Sequence, residues 1–272
     1  MNPLSRWFVR RASDRLRPLL ASFGLLQTVK IKPALLWNPG KQRVLVLSPH
    51  MDDEVIGCGG AIAKHVKNGA TVTVVFLTDG RWGAVRQALG KEERGRQRRK
   101  LVETRKREAA QCLVVLGVQE GVYLDAVEPR LSSDPTLCTR LRRIIDEIRP
   151  DLVYLPFFLE EHPDHRETSR VLLDATEGRA YRFDCYGYEV WTPLLPNCLV
   201  DITDEVDLKR QALSCYKSQL ADKDYIHTAL GLNAYRSSSL LQRGGYVEAF
   251  YMAGLEAYRH SYGKFLSMNS GS

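Results

Sequence analysis

The 272-residue chain contains no CxxC pair and no charge-free apolar run of 18 or more residues. It also lacks a GxGxxG after its first predicted strand, an internal repeat, and a Gly/Ser- or Pro-rich linker. Each absence excludes something. Without a long apolar run there is no candidate transmembrane helix; the longest apolar stretch near the start, LLASFGLL, is far too short. A secretory leader is not expected either, because the first residues scatter arginines through the apolar positions and offer no clear cleavage site. The six cysteines, at 58, 112, 138, 185, 198 and 215, are dispersed. That spacing reads as reduced thiols of a cytoplasmic protein, mostly buried, and gives little support to a cysteine-based zinc site or a disulfide framework. Cys58 has no neighbouring base and reads as a packed residue, not a nucleophile. The missing glycine fingerprint argues against a dinucleotide site.

What is present is a globular composition, with 44% hydrophobic residues, and an uneven net charge of +7. Residues 1–33 carry seven Arg/Lys against one Asp, residues 81–107 carry eleven against three Glu, and the remainder is therefore net −7. An acidic body with two basic patches suggests a local anionic partner; nucleic acid is not expected.

Strand-like and helix-like segments alternate. Strands are predicted at RVLVLS (43–48), TVTVVFLT (71–78), GVYLD (121–125) and DLVYLP (151–156), and later at 184–191 and 197–202. Helices are predicted at 57–69 and 91–116, stopped by Gly69 and Gly117, at 135–149 before Pro150, from 165 to 177, and finally at 205–220. This βαβ pattern implies an α/β fold: a Rossmann-like, doubly wound, mostly parallel sheet with helices on both faces. Residues 1–40 read as a basic amphipathic N-terminal extension, 41–260 as one catalytic domain and 261–272 as a C-terminal tail.

Two polar clusters stand at strand ends. His50, Asp52, Asp53 and Glu54 follow the first strand, and His162, Asp164, His165 and Arg166 follow the fourth. His50 and Asp53 can point at one spot, and imidazole nitrogen with carboxylate oxygen suits zinc or another divalent ion. In the common 3-2-1-4-5-6 order the first and fourth strands are neighbours at the switch point, so the two clusters would face one crevice. Helix capping by Asp52 or Asp53, and by Asp164, is the alternative that needs no metal.

The stretch PHMDDEVIGCGG resembles the first signature of the PIG-L/LmbE-like de-N-acetylases, and HPDH resembles their second. TDG at 78–80, Arg105 and Glu108, YEVWTP at 188–193, KSQ at 217–219 and YVEAF at 246–250 extend the similarity from about Arg43 to Phe250. The resemblance implies a zinc-dependent hydrolase acting on N-acetylated amino sugars. It makes His50, Asp53 and His165 the metal ligands and Asp52 the general base. It assigns protonated His162 to the oxyanion, with Asp164 holding that imidazole, and makes Arg105 a substrate contact. Arg105 could equally be a surface cation paired with Glu108 at i+3. Asp79, at the end of the second strand, borders the predicted crevice. Met51 replaces the family's usual proline, Glu54 is expected to support the helix start, and a substrate role for Glu160 is doubtful.

The basic patches suit a substrate on an anionic, phosphate- or lipid-linked carrier, as in envelope glycan assembly. Residues 1–33, with apolar positions Leu4, Phe8, Ala12 and Leu16 spaced by four, suit either an anionic membrane surface at the inner face or the domain's own sheet. Two other readings compete: a glycosyltransferase using MDD as a metal-nucleotide site, and a degenerate membrane-associated scaffold.

Overall fold

The structure, a computed structural model, describes residues 34–82, 91–128, 131, 134 and 136–270. The expectations for residues 1–33 and for the 83–90 part of the second basic patch lie outside the described residues. Among the described residues no helix is long and apolar enough to cross a membrane.

Eight strands form one sheet: β1 (Leu35–Leu36), β2 (Arg43–Ser48), β3 (Thr71–Thr78), β4 (Glu120–Ala126), β5 (Leu152–Pro156), β6 (Asp184–Tyr188), β7 (Cys198–Asp201) and β8 (Val247–Gly254). Their spatial order is β1-β7-β8-β6-β5-β2-β3-β4. The block β6-β5-β2-β3-β4 is parallel throughout and reproduces the predicted 3-2-1-4 order, with β2 beside β5 at the switch point. β8 is not predicted as a strand; it runs antiparallel to both β6 and β7 and joins β7 and β1 to the parallel block.

The parallel strands read as unbroken apolar runs because both faces are covered. Alternation sorts each strand's side chains by face. Val44 and Val46 join one buried cluster, under α1 (Asp53–Lys67), α2 (Lys91–Leu116), α5 (Val206–Leu213) and α7 (Tyr225–Leu241). Leu45 and Leu47 join the other, under α3 (Leu137–Ile148), α4 (Pro163–Ala175) and α8 (Leu255–Ser270). α3 shows how such a helix is specified. Leu137, Leu141 and Ile145, spaced by four, are fully buried on one face, each worth roughly 1.5–3 kcal/mol of transfer free energy. The helix ends at Arg149, in left-handed conformation at φ 50°, before Pro150.

α1 and α2 end at glycines with positive φ, Gly69 (79°) and Gly117 (72°), as expected. Three expectations are corrected. α1 begins at Asp53, four residues before the glycine run, because the acids of its first turn suit the positive end of a helix. The predicted last helix is two, α5 and α6 (Lys217–Leu220), and α7 and α8 follow it. The chain past 260 is no tail, since α8 continues to Ser270 and Tyr262 packs into the core.

Candidate active site

β2 ends at Ser48, and the chain turns through Pro49–Asp52 into α1. Tertiary contacts hold that turn in place. Thr78 donates to the Pro49 carbonyl from its N–H (3.0 Å) and Oγ1 (2.7 Å). Arg105 Nη2 donates to the Met51 carbonyl at 3.2 Å and Nη1 to the Gly80 carbonyl at 3.0 Å. Glu54, wholly buried, accepts from Ser48 Oγ and from the Asp52 N–H (3.1 Å each), and from the Tyr216 hydroxyl. The Met51 side chain is fully buried and faces the core, away from the cleft. The network fixes Asp52 at φ 140°, a conformation L-residues rarely adopt; such strain clusters at functional sites.

β5 leads through Phe157–Glu161 into α4, whose N-cap is His162 with Pro163 at the first position. The two strand ends are adjacent, as Val46 pairs with Tyr154 in parallel register. The two clusters therefore meet. Asp53 Oδ2 lies 3.0 Å from His50 Nδ1 and 3.2 Å from His165 Nε2. The ring of His162 lies 4.8 Å from that of His50 and 4.9 Å from that of His165.

These donors fit a divalent metal. Tetrahedral ligands at 2.0–2.1 Å from zinc stand about 3.3 Å apart, close to the two separations seen. His165 is buried, and neither of its ring nitrogens makes a hydrogen bond of normal geometry. The outer nitrogen of each imidazole faces a carboxylate, the arrangement that orients metal-binding histidines: His50 Nε2 is 3.3 Å from Asp164 and 3.5 Å from Glu128, and His165 Nδ1 is 3.5 Å from Glu160. Among the described residues, the sets whose ligand atoms all lie within 4.8 Å of one another are His50 with His162 and His165, and His50 with Glu128 and Asp164.

The electrostatics separate two adjacent aspartates. Burial, reinforced by Asp53, pushes Asp52 up to about 8, while Arg105 and His50 pull it down. Asp53 suffers burial too, but His165 and His50 outweigh it and hold its carboxyl well below the ordinary range. Burial would lower His50 and His165, yet their carboxylate partners, chiefly Asp164 and Asp53 for His50 and Asp53 for His165, raise them to about 10 and about 9.

The Asp164 carboxylate holds His50; what reaches His162 from Asp164 is its backbone N–H, donated to Nδ1 at 3.2 Å. Burial, with the facing His50 and His165, pushes His162 down to about 4. Arg105 does not pair with Glu108, whose carboxylate accepts from Ser218. Its guanidinium lies 3.7 Å from Asp52.

A cleft of about 290 Å³ opens over these groups, walled by Arg105, Glu128, Trp82, Trp191 and Tyr225. Asp79 is not on its wall; its buried carboxylate is engaged by Arg81. Glu128, just after β4, is marked in the sequence only by its place after the third predicted strand.

The profile of one family, described as PIG-L: GlcNAc-PI de-N-acetylase, matches residues 45–176. A diacetylchitobiose deacetylase of Thermococcus kodakarensis is 27% identical over 66% of this chain and 71% of its own length. A 1D-myo-inositol 2-acetamido-2-deoxy-α-D-glucopyranoside deacetylase of Catenulispora acidiphila is 29% identical over 50% of this chain, which spans about half (48%) of that protein. Among solved structures, the N,N'-diacetylchitobiose deacetylase of Pyrococcus horikoshii, complexed with its inhibitor, superposes with a TM-score of 0.68 at 25% identity, covering 92% of this chain and 94% of its own.

Proposed function

We propose that this chain, which belongs to the PIG-L family, is a metal-dependent hydrolase that removes the acetyl group from an N-acetylated amino sugar. The observation that carries this reading is the meeting of His50 and Asp53 with His165, from two strand ends, beside a strained and buried Asp52. His50 Nδ1, Asp53 Oδ2 and His165 Nε2 would hold the ion, zinc or another divalent metal that accepts nitrogen and oxygen donors. When bound, it supplies Lewis acidity and makes water acidic near neutral pH.

The chain's own residues do the rest. Asp52 takes the proton of the attacking water as its oxygen bonds to the acetyl carbon. His162 donates its Nε2–H to the carbonyl oxygen, where negative charge develops. The C–N bond then breaks as Asp52 delivers its proton to the amine nitrogen, and the free amino sugar leaves with acetic acid, which ionises to acetate in water. Arg105, 3.7 Å from Asp52, favours the ionised carboxylate before the proton arrives.

The carrier on the sugar is proposed to be anionic. Arg98 stacks on Trp82 at 4.3 Å, and Lys223 sits 3.8 Å over Trp191, so aromatic walls of the cleft carry cations beside them. A lipid-linked carrier would place the protein on the inner face of a membrane, with residues 1–33 as the contact. Flotation of the full chain and of a chain lacking residues 1–33 with anionic vesicles tests that half; equal, negligible binding by both refutes it. The hydrolase itself is tested by metal content and free-amine release over a panel of N-acetylated sugars, for wild type and Asp52→Ala. A metal-loaded wild type inert on every acetamide would favour the scaffold and end the enzyme reading.

A further inference from the structure

Glu160 lies two residues before the N-cap of α4, and its side chain is wholly buried. Its carboxylate accepts three backbone N–H groups: Val190 on Oε1 at 2.6 Å, Trp191 on Oε2 at 3.0 Å and Thr192 on Oε1 at 3.3 Å. The neighbouring Glu161 N–H adds a second stitch, donating to Thr192 Oγ1 at 2.9 Å. On its other side Glu160 Oε2 faces His165 Nδ1 at 3.5 Å, and that nitrogen has no other partner. Among the described residues no Lys or Arg forms an ion pair with Glu160. A buried carboxylate in such a setting is costly unless its charge is used.

We infer that Glu160 is a positioning residue that couples the metal ligand His165 to the loop carrying Trp191 into the cleft. This inference rests on the proposed function, specifically on His165 Nε2 holding the ion. A cation on Nε2 makes the Nδ1–H a stronger donor, so the bond to Glu160 tightens when metal is present. A tighter Glu160 fixes the 190–192 backbone, and with it the aromatic wall built by Trp191 and Tyr225, whose rings are 5.6 Å apart. The coupling is reciprocal, so a well-ordered loop strengthens metal binding. The cleft wall is then most firmly held when the ion is in place. Sequence gives no hint of this, because Glu160 and Val190 are 30 residues apart.

The test uses the full chain, zinc alone as the probe, and the isosteric Glu160→Gln. Zinc affinity is measured by chelator competition, and amide hydrogen exchange is followed over residues 189–194. In wild type zinc slows exchange at 190–192. In Glu160→Gln zinc binds roughly 10–100-fold more weakly, and at saturating zinc the loop exchanges as it does without metal. A residue that only braced the loop would speed exchange in the variant but leave zinc affinity alone. Three results overturn the inference: wild-type exchange at 190–192 indifferent to zinc, a variant affinity within twofold of wild type, or a variant loop that zinc still slows. The first needs no variant to fold. Failure with zinc bound by wild type removes only the coupling. No zinc binding by wild type removes the parent reading as well.

Discussion

The break in α1 leads to a quantitative expectation. At Cys58 the backbone leaves the helical region (φ −143°, ψ 22°). Gly60 and Ala61 then donate to Glu248 Oε1 and Oε2, 2.8 Å each, in place of carbonyls one turn back. The freed Ile56 carbonyl accepts from Lys209 Nζ at 2.9 Å, and the same ammonium binds Asn233 Oδ1 at 2.9 Å and Glu248 at 2.7 Å. Neither Lys209 nor Glu248 exposes any side-chain surface. Lys209→Met keeps the apolar stem but strips the charge. It leaves two acceptors unpaired and a buried anion with only its two backbone donors. Coulomb attraction at 2.7 Å amounts to about 6 kcal/mol at an effective dielectric of 20, and relief from burying the ammonium offsets part of it. Removing one partner of such a pair costs roughly 3–5 kcal/mol. Glu248→Gln should cost a similar amount, and the double variant less than the sum, with a coupling of at least about 2 kcal/mol. Urea unfolding of all four proteins measures the cycle. Because the break sits five residues past Asp53, zinc affinity should also fall in Lys209→Met. A single-variant loss under about 1 kcal/mol together with strict additivity would refute the idea that the pair sustains the break.

Asp52→Asn should lower kcat by roughly 10²–10⁴-fold with metal content unchanged; retention of a tenth of wild-type turnover would remove Asp52 as the base. His65 is buried between the Gly40 carbonyl and the Tyr154 hydroxyl, and burial depresses it to about 4. A depressed histidine contributes stability above its unfolded value of roughly 6.5 that is lost as pH falls toward 4, about 2 kcal/mol of it by pH 5; parallel stability–pH curves for wild type and His65→Gln would contradict this. At Gly57 a Cβ would stand 2.1 Å from the Tyr188 ring, so Gly57→Ala should destabilise by roughly 1–3 kcal/mol or more, and an unchanged melting temperature would show that the ring can yield.

The parallel half of the sheet was legible because each strand is a short apolar run between helix signals, and the switch point followed from topology. On the other side β7 was legible too, but β8 was not. β8 carries small and mixed residues over its second half, which is only partly buried, so no alternation marks it. α7 contains Gly231 and three consecutive serines, Ser237–Ser239, and lacks a clean apolar stripe. The helical pattern across 205–220 is continuous, yet the chain breaks at 214–216, where Tyr216 reaches Glu54. That is tertiary structure overriding local periodicity. In the site, the ligand-type residues were visible as clusters because each cluster is local. Their outer partners, Glu128 and Glu160, acquire meaning only from contacts between distant loops.

Met51 follows from the same distinction between local and tertiary constraint. A proline at 51 would stiffen the turn between His50 and Asp53 by fixing φ. Here the stiffness has other sources: Arg105 on the Met51 carbonyl, Thr78 on the Pro49 carbonyl, and Glu54 on the Asp52 N–H. These contacts already hold Asp52 at a φ that costs about 1–3 kcal/mol, so a further local restraint has little left to fix. The thioether meanwhile fills space in the core beside Gly80 and Arg105. Met51→Pro should therefore leave zinc affinity within about threefold of wild type and lower stability by roughly 1–3 kcal/mol through lost packing. Chelator competition and urea unfolding of the same samples measure both. A tenfold gain in zinc affinity would show that the turn is loose as it stands, and that the tertiary contacts do not set its geometry.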